Sequence, residues 1–371
     1  MATLPEPLVG PRFSTYSPEE VSWLLTDLSG EELEMPLAQR EERIRAGEHY
    51  AESLPVEYRP SVEYLALFQV LLARSARRTA YLVGLITEMV LAARGAEVVL
   101  VSLARAGTPV GILMRRWGQQ IHHLSPPHYT MSVVRGRGAD PVALRYLACH
   151  HDPAHVVFID GWTGKGTITR ELTRALAHAA SQGLHFPAQL AVLADPGCCA
   201  HLYGTRRDTL IPSACLNSTI SGLVSRTVLH PTLIGPQDFH GAKFYPHLAP
   251  ADLSNHYLDA ISARFTDVAA AAAHDARRHT ASPTPPRHTG WAAARCIGSA
   301  QGVQDLNLVK PGIGETTRAL LRRVPWRILI DRTSPPLPHL RLLAMQRAAP
   351  LLDVGDLPFA CVALIRPRRP R

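Results

Sequence analysis

The sequence predicts an α/β protein: a parallel sheet flanked by helices, preceded by a helical region and followed by a small second α/β module. Three observations carry that expectation. Short β-branched runs, AEVVLVSL (96–103), HVVFIDG (155–161) and AQLAVLADP (188–196), alternate with helical patterns at 109–116 and 167–181, and such alternation builds βαβ units with parallel strands. A chain of 371 residues exceeds the usual single domain. Its composition, 46% hydrophobic and 19% charged, is that of a globular protein.

Taken in order, the first residues lack a basic start followed by an apolar core, so no secretory leader is expected. SPEEVSWLLTDL carries Ser17 and Glu20 at capping-box spacing and predicts a helix. PSVEYLALFQVLLARS and TAYLVGLITEMVLAARG predict two more, the second stopping at Gly95. Arg74, Arg77, Arg78 and Glu88 interrupt them too often for a membrane span. The six cysteines (149, 198, 199, 215, 296, 361) form no CxxC pair, so reduced thiols and a cytoplasmic location are expected. The helical region occupies 1–94 and the α/β core 95–276, within which 197–250 shows no clear pattern.

RRHTASPTPPRHTG (277–290) reads as a linker. Beyond it, TTRALLRRV, WRILID, HLRLLAMQRA and FACVALI give helix, strand, helix and strand in a module over 291–371. From Val309 onward there are 12 Lys/Arg against 4 Asp/Glu, whereas the rest of the chain carries 27 of each sign. The whole positive excess belongs to the tail, which suggests a polyanionic partner.

VVFIDGWTGKGT runs from an apolar strand into a Gly/Thr loop that opens a helix. Gly164 and Gly166 permit a tight turn with amides pointing inward, Thr163 and Thr167 add hydroxyls, and the helix N-terminus favours an anion. An ATP/GTP P-loop is excluded, because its first Gly and its Ser/Thr after Lys are here Ile159 and Gly166. A tight turn without a ligand is the plain alternative. One strand earlier, VVLVSLARAGTPVGILMRR places Arg105 as the only charge in a turn, and guanidinium suits bidentate phosphate binding.

These residues resemble the PRPP-binding loop of type I phosphoribosyltransferases. The resemblance implies that the sheet has that family's architecture. It assigns Thr163, Gly164, Lys165, Gly166 and Thr167 to the 5-phosphate, and Asp160 to the ribose. Ser102, Ala104, Arg105, Ala106 and Gly107 would hold pyrophosphate, helped by Arg135 and Arg137 from a flexible hood between the loops. Asp160 and Arg105 become the catalytic pair. Mg²⁺, bound through substrate phosphates and water, becomes the cofactor. The expected reaction makes or cleaves a glycosidic bond of a nucleoside-like metabolite. One departure stands out: Gly161 replaces the family's second acid.

Nearly end to end, the chain also resembles a bacterial branch of such proteins associated with tellurite and stress-response (Ter) gene clusters, which carry a C-terminal Pelota-type domain. DTLIPSACLNSTISGLVSRTVLHP, QDFHGAKFYPHL and HYAESLPVEYRPS carry that likeness. Asn217, Ser218, Arg226, His240 and Lys243 are candidates for an acceptor pocket, or else for a buried loop pinned by its own hydrogen bonds. The tail resembles the Pelota RNA-binding fold, which implicates Lys310, Gly312, Arg318, Arg322 and Arg323 in RNA contacts.

Two other readings stay open. A cysteine hydrolase would use Cys215, or one of Cys198 and Cys199, with His240 or His201 as base, although buried cysteine is most often an inert small hydrophobe. The other is a catalytically inactive phosphoribosyltransferase fold that binds RNA. A homodimer is compatible with each.

Overall fold

The computed structural model describes residues 4–323 and 325–366. Three of the tail's arginines, Arg368, Arg369 and Arg371, lie outside them. Strands β1 (Ser22–Leu24), β2 (Val99–Leu103), β3 (His128–Met131), β4 (Val156–Trp162), β5 (Leu190–Ala194) and β6 (Leu202–Thr205) form one sheet in the order β1-β3-β2-β4-β5-β6. Every neighbouring pair in it is parallel. This confirms an α/β protein with a parallel sheet flanked by helices.

Alternation within the strands explains why both faces are covered. Leu100, Val157, Ile159, Ala191 and Leu193 belong to one buried cluster, while Val99, Val101, Val156, Phe158, Leu190 and Val192 belong to another. After the short helix α1 (Leu37–Ala46), helices α2 (Val62–Arg94), α3 (Thr108–His122), α6 (Ser254–Ser262) and α7 (Phe265–Ala281) cover the first face. Helices α4 (Pro141–His150) and α5 (Thr167–Ser181) cover the second. Between them they enclose the sheet as parallel strands require.

The amino-terminal expectations need correction. SPEEVSWLLTDL forms turns and strand β1, not a helix. Val21, Trp23 and Leu25 enter one cluster and Leu24 the other, so the run has period two and is buried on both faces. Further along, the two helices expected between 60 and 95 are a single one, α2, of 33 residues. Ser61 caps it by accepting from the Tyr64 N–H at 3.2 Å, a contact worth about 1 kcal/mol. The arginines that seemed to divide it, Arg74, Arg77 and Arg78, lie on its exposed side. At the segment read as a linker, α7 continues to Ala281 and helix α8 (Thr289–Ala300) begins eight residues later.

The carboxy-terminal sheet joins β7 (Val309–Pro311), β8 (Arg327–Asp331), β9 (Leu351–Val354) and β10 (Cys361–Leu364) in the order β7-β10-β8-β9. Helices α9 (Ile313–Arg322) and α10 (Pro338–Gln346) pack on one face. Ile313, Leu320, Leu340 and Leu343 from these helices join the cluster that contains α2 and α3, so the second module is docked on the first. Asp208 fixes the contact. Its carboxylate accepts from the Ile313 N–H at 3.0 Å and the Ala360 N–H at 2.9 Å, and burial pushes its pKa up to about 6.

His128 links stability to pH. Its Nδ1 meets the Glu20 carbonyl at 2.8 Å and must therefore donate, leaving Nε2 to accept from the Ser102 hydroxyl at 2.8 Å. Burial pushes its pKa down to about 4. A histidine held neutral stabilises the fold above its unfolded value near 6.5, and that contribution is lost as pH falls toward 4. Urea unfolding should show the parent losing roughly 3 kcal/mol more than His128→Gln between pH 7.5 and 4. Parallel pH curves for the two proteins would contradict this.

Candidate functional site

The chain passes from β2 to β3 on one side and then to β4 on the other, so a crevice opens between the carboxyl ends of β2 and β4. Parallel sheets gather ligands at this switch point. A cavity of about 350 Å³ lies there. Its walls include Ala104, Arg105 and Ala106 after β2, Asp160 near the end of β4, and Thr163 to Thr169 in the loop after β4 and the first turn of α5.

Backbone approaches backbone closely around the site, from the segments after β2 and after β5. A Cβ on Gly107 would lie 2.3 Å from the Ile159 carbonyl oxygen, and one on Gly197 would lie 1.6 Å from the Gly164 oxygen. Gly166, at φ 79°, turns the chain into α5. Asp195, fully buried at the end of β5, organises the rest. It accepts from the Cys199 and Ala200 N–H groups, both at 2.8 Å, from the Thr163 hydroxyl and from Arg206. Its only sequence signal was an acid closing an apolar run.

Most of the expected phosphate-site residues are brought together. Asp160, Thr163, Gly164, Lys165, Gly166, Thr167, Ala104, Arg105, Ala106 and Arg135 all line the cavity. Burial pushes the Asp160 carboxyl up to about 7, against the pull of the Gly161 N–H and Arg318. Arg105 donates to the Val224 carbonyl at 2.8 Å and to the Asn217 side-chain oxygen at 3.2 Å, and pairs with Glu57 at 3.4 Å.

Others lie elsewhere. The Ser102 hydroxyl is held among His128 and the Gly107 carbonyl behind the loop. Arg137 lines a separate, neighbouring pocket. The hood is a short hairpin, Val133–Val134 against Gly138–Ala139.

The acceptor-pocket expectation divides. Arg226 lines the cavity, and Asn217 lies beneath it, bridging Arg105 and Arg322 through one side-chain oxygen. Ser218 is buried nearby, its N–H 3.5 Å from Glu57. His240 instead bonds Ser132 and Asp140, and Lys243 pairs with Glu34 at 2.7 Å. Neither lines the cavity.

The carboxy-terminal residues turn inward. Lys310, Arg318, Arg322 and Arg323 line the same cavity, and Arg318 is 9% exposed. Arg318 donates to the Ser213 carbonyl at 3.0 Å and stands over the Trp162 ring. Gly312 closes the turn before α9, donating to the Cys361 carbonyl at 2.8 Å. Sequence reasoning also missed Arg40, Tyr50, Trp162 and Glu315. Glu315 reaches Lys165 Nζ at 3.1 Å and its backbone N–H at 3.4 Å. Trp162 follows from the strand that carries the loop, whereas long-range packing alone places Arg40, Tyr50 and Glu315 here.

Among the described residues, no cysteine lines this cavity. Cys215 is buried, its thiol pushed up to about 12 by that burial, and its carbonyl accepts from Tyr64. Cys199 is buried under the Gly164 to Gly166 turn and its thiol is likewise raised to about 12. Cys198 differs. It is partly exposed at the carboxyl end of β5 and held at φ 51°, where a residue other than glycine is uncommon. Its carbonyl accepts from the Arg287 and His288 N–H groups at 3.0 and 2.9 Å, which places it beside the start of α8. His201 follows on the same loop, its pKa lowered by partial desolvation, by His288 and by Arg206.

Comparison with known proteins gives two family matches. Residues 14–262 match the family described as "Tellurite-like stress resistance cysteine protease StiP", and residues 288–367 match the PELOTA RNA binding domain. A curated relative, "Cysteine protease StiP" of Acinetobacter baylyi (strain ATCC 33305 / BD413 / ADP1), is 31% identical over 377 residues, covering 95% of this chain and 94% of that protein. The stress-resistance and Pelota resemblances are thereby upheld. The expectation of a phosphoribosyltransferase making or cleaving a glycosidic bond is overturned, because the family and the relative are both described as cysteine proteases. With it falls the nucleoside-metabolite role, and the hydrolase alternative takes its place. Among the described residues, no helix is long and apolar enough to cross a membrane.

Proposed function

The chain belongs to the StiP family of tellurite-like stress resistance cysteine proteases, and from that premise we propose that it is a thiol peptidase whose nucleophile is Cys198. The observation that carries the choice is that Cys198 is partly exposed on the loop at the carboxyl end of β5, beside a helix start, where Cys199 and Cys215 are buried and the exposed Cys149 and Cys296 lie within helices α4 and α8. His201 is the proposed base, its lowered pKa keeping the ring neutral at pH 7.

In this reading the Cys198 Sγ attacks the peptide carbonyl carbon and its proton passes to His201. The C–N bond then breaks, the departing amine takes that proton, and an acyl-thioester remains on Cys198. Water, deprotonated by His201, cleaves the thioester and restores the thiol. The carboxy-terminal module, matched to an RNA-binding domain, is proposed to carry an RNA contact.

Brief treatment with iodoacetamide at pH 7, followed by peptide mass mapping, tests the assignment. Cys198 is expected to be modified before Cys199, Cys215 and Cys361, with peptide hydrolysis lost in proportion to its labelling. Full hydrolysis after complete modification of Cys198 would refute it.

A further inference from the structure

We infer that the crevice between the two modules is a binding site for a small phosphorylated ligand carrying more than one phosphate charge, gripped by arginines of both modules. The inference is independent of whether Cys198 cleaves peptides.

Charge imbalance is the first observation. The cavity is lined by nine Lys/Arg side chains but by two carboxylates, Asp160 and Glu315. Three of the cations have ionic partners: Arg105 with Glu57, Lys165 with Glu315 and Arg323 with Glu41. The other six, Arg40, Arg135, Arg226, Lys310, Arg318 and Arg322, make no salt bridge among the described residues. Aromatic faces take up part of the charge, since Arg135 and Arg226 lie 4.8 and 4.5 Å from the Tyr50 ring centre. Burying like charges together is costly unless an anion joins them. The cost is visible in Arg226 and Arg318, whose pKa values burial and neighbouring arginines push down to about 9.

Unsatisfied donors are the second. Arg105 and Arg318, 5% and 9% exposed, each have an Nε without a partner, and the hydroxyls of Thr167 and Thr169 have none either. All four residues line the cavity. Thr167 opens the 15-residue helix α5, whose free amides and dipole face the same space. Glu315 already lies against the Lys165 amide, so the carboxylate occupies part of an anion site.

Volume selects the ligand class. About 350 Å³ falls at the small end of ligand pockets and is too little for a folded nucleic acid. Burial disfavours the charge on Lys310, but the five remaining unpaired guanidinium groups still exceed what a single phosphate dianion offsets, which favours a diphosphate or a doubly phosphorylated metabolite. Guanidinium forks and helix amides both fit phosphate oxygens.

Isothermal titration of the full-length chain with inorganic pyrophosphate, in buffer free of divalent cations, tests this. One site per chain is expected, at least tenfold tighter than for inorganic phosphate or citrate. Arg318→Gln should weaken binding at least tenfold. Arg135→Gln, on the hairpin and with a side chain whose contact among the described residues is the Tyr50 ring, should weaken it several-fold with its backbone bonds intact, while the exposed Arg77→Gln should not change it. Absence of heat with pyrophosphate would overturn the inference, as would binding indifferent to both lining variants. Citrate binding as tightly as pyrophosphate would remove the phosphate assignment. A hexanucleotide RNA that binds more tightly, and loses affinity in the same two variants, would replace the small ligand by nucleic acid.

Discussion

Replacing Cys198 by Ala should lower kcat/KM for peptide hydrolysis by about 10⁴ or more, the scale seen when a covalent nucleophile is removed from a working catalytic unit. Cys199→Ser and Cys215→Ser should retain activity wherever they fold. Their thiols are buried and raised to about 12, so almost no thiolate exists at neutral pH. The two controls also separate chemistry from stability, because a buried Cys→Ser change places a hydroxyl among apolar neighbours. Cys198, partly exposed, should lose activity with its melting temperature unchanged. The pH profile adds a second readout. His201 has a lowered pKa, so activity should persist below pH 6.5 and fall only on further acidification, as the imidazole protonates. A Cys198→Ala protein that hydrolyses peptide at the parental rate would end the assignment.

The second large effect concerns backbone approach. Gly197→Ala should destabilise the protein by about 3 kcal/mol or more and lower its melting temperature by roughly 5 °C. A Cβ there would stand 1.6 Å from the Gly164 oxygen, which belongs to backbone and cannot swing aside as a side chain would. Gly290 closes the same node from α8, since its own Cβ would lie 2.3 Å from that oxygen, and its N–H donates to the Gly197 carbonyl at 2.9 Å. Three distant segments therefore touch through hydrogen-sized positions. Gly30→Ala is the control, with nothing within 4 Å of the added carbon. Differential scanning calorimetry of both variants decides the matter, and equal melting temperatures would disprove the close approach.

What the sequence made legible were features written in adjacent residues. The runs at 156–162 and 190–194 alternate between two clusters because each strand is buried on both sides. Gly166 and Ser181 bound α5 at the residues its helical pattern indicated. The anion-binding form of the loop was equally local, because glycines, hydroxyls and a helix start lie within five positions.

Contacts set by distant residues were not legible. VSWLL satisfies a helical face and a buried strand alike, and only pairing with β3 decides between them. Arg318 and Arg322 looked like a solvent-facing basic helix, yet they point at Ser213 and Asn217, each 105 positions away. The choice of reaction failed for a related reason. A loop that suits phosphate does so through backbone amides whatever chemistry accompanies it, and fold likeness does not determine activity.

Helix α2 is the longest element, about 50 Å from end to end. Its amino-terminal end is tied to the second module, with Tyr58 and Ser61 both bonded to Gln346 at 2.7 and 3.1 Å, while farther along it packs on α7. Such an unbroken strut offers no hinge. Separating the modules would work against the Gln346 contacts, and the amides of the rod's buried middle turns are expected among the slowest to exchange with deuterium.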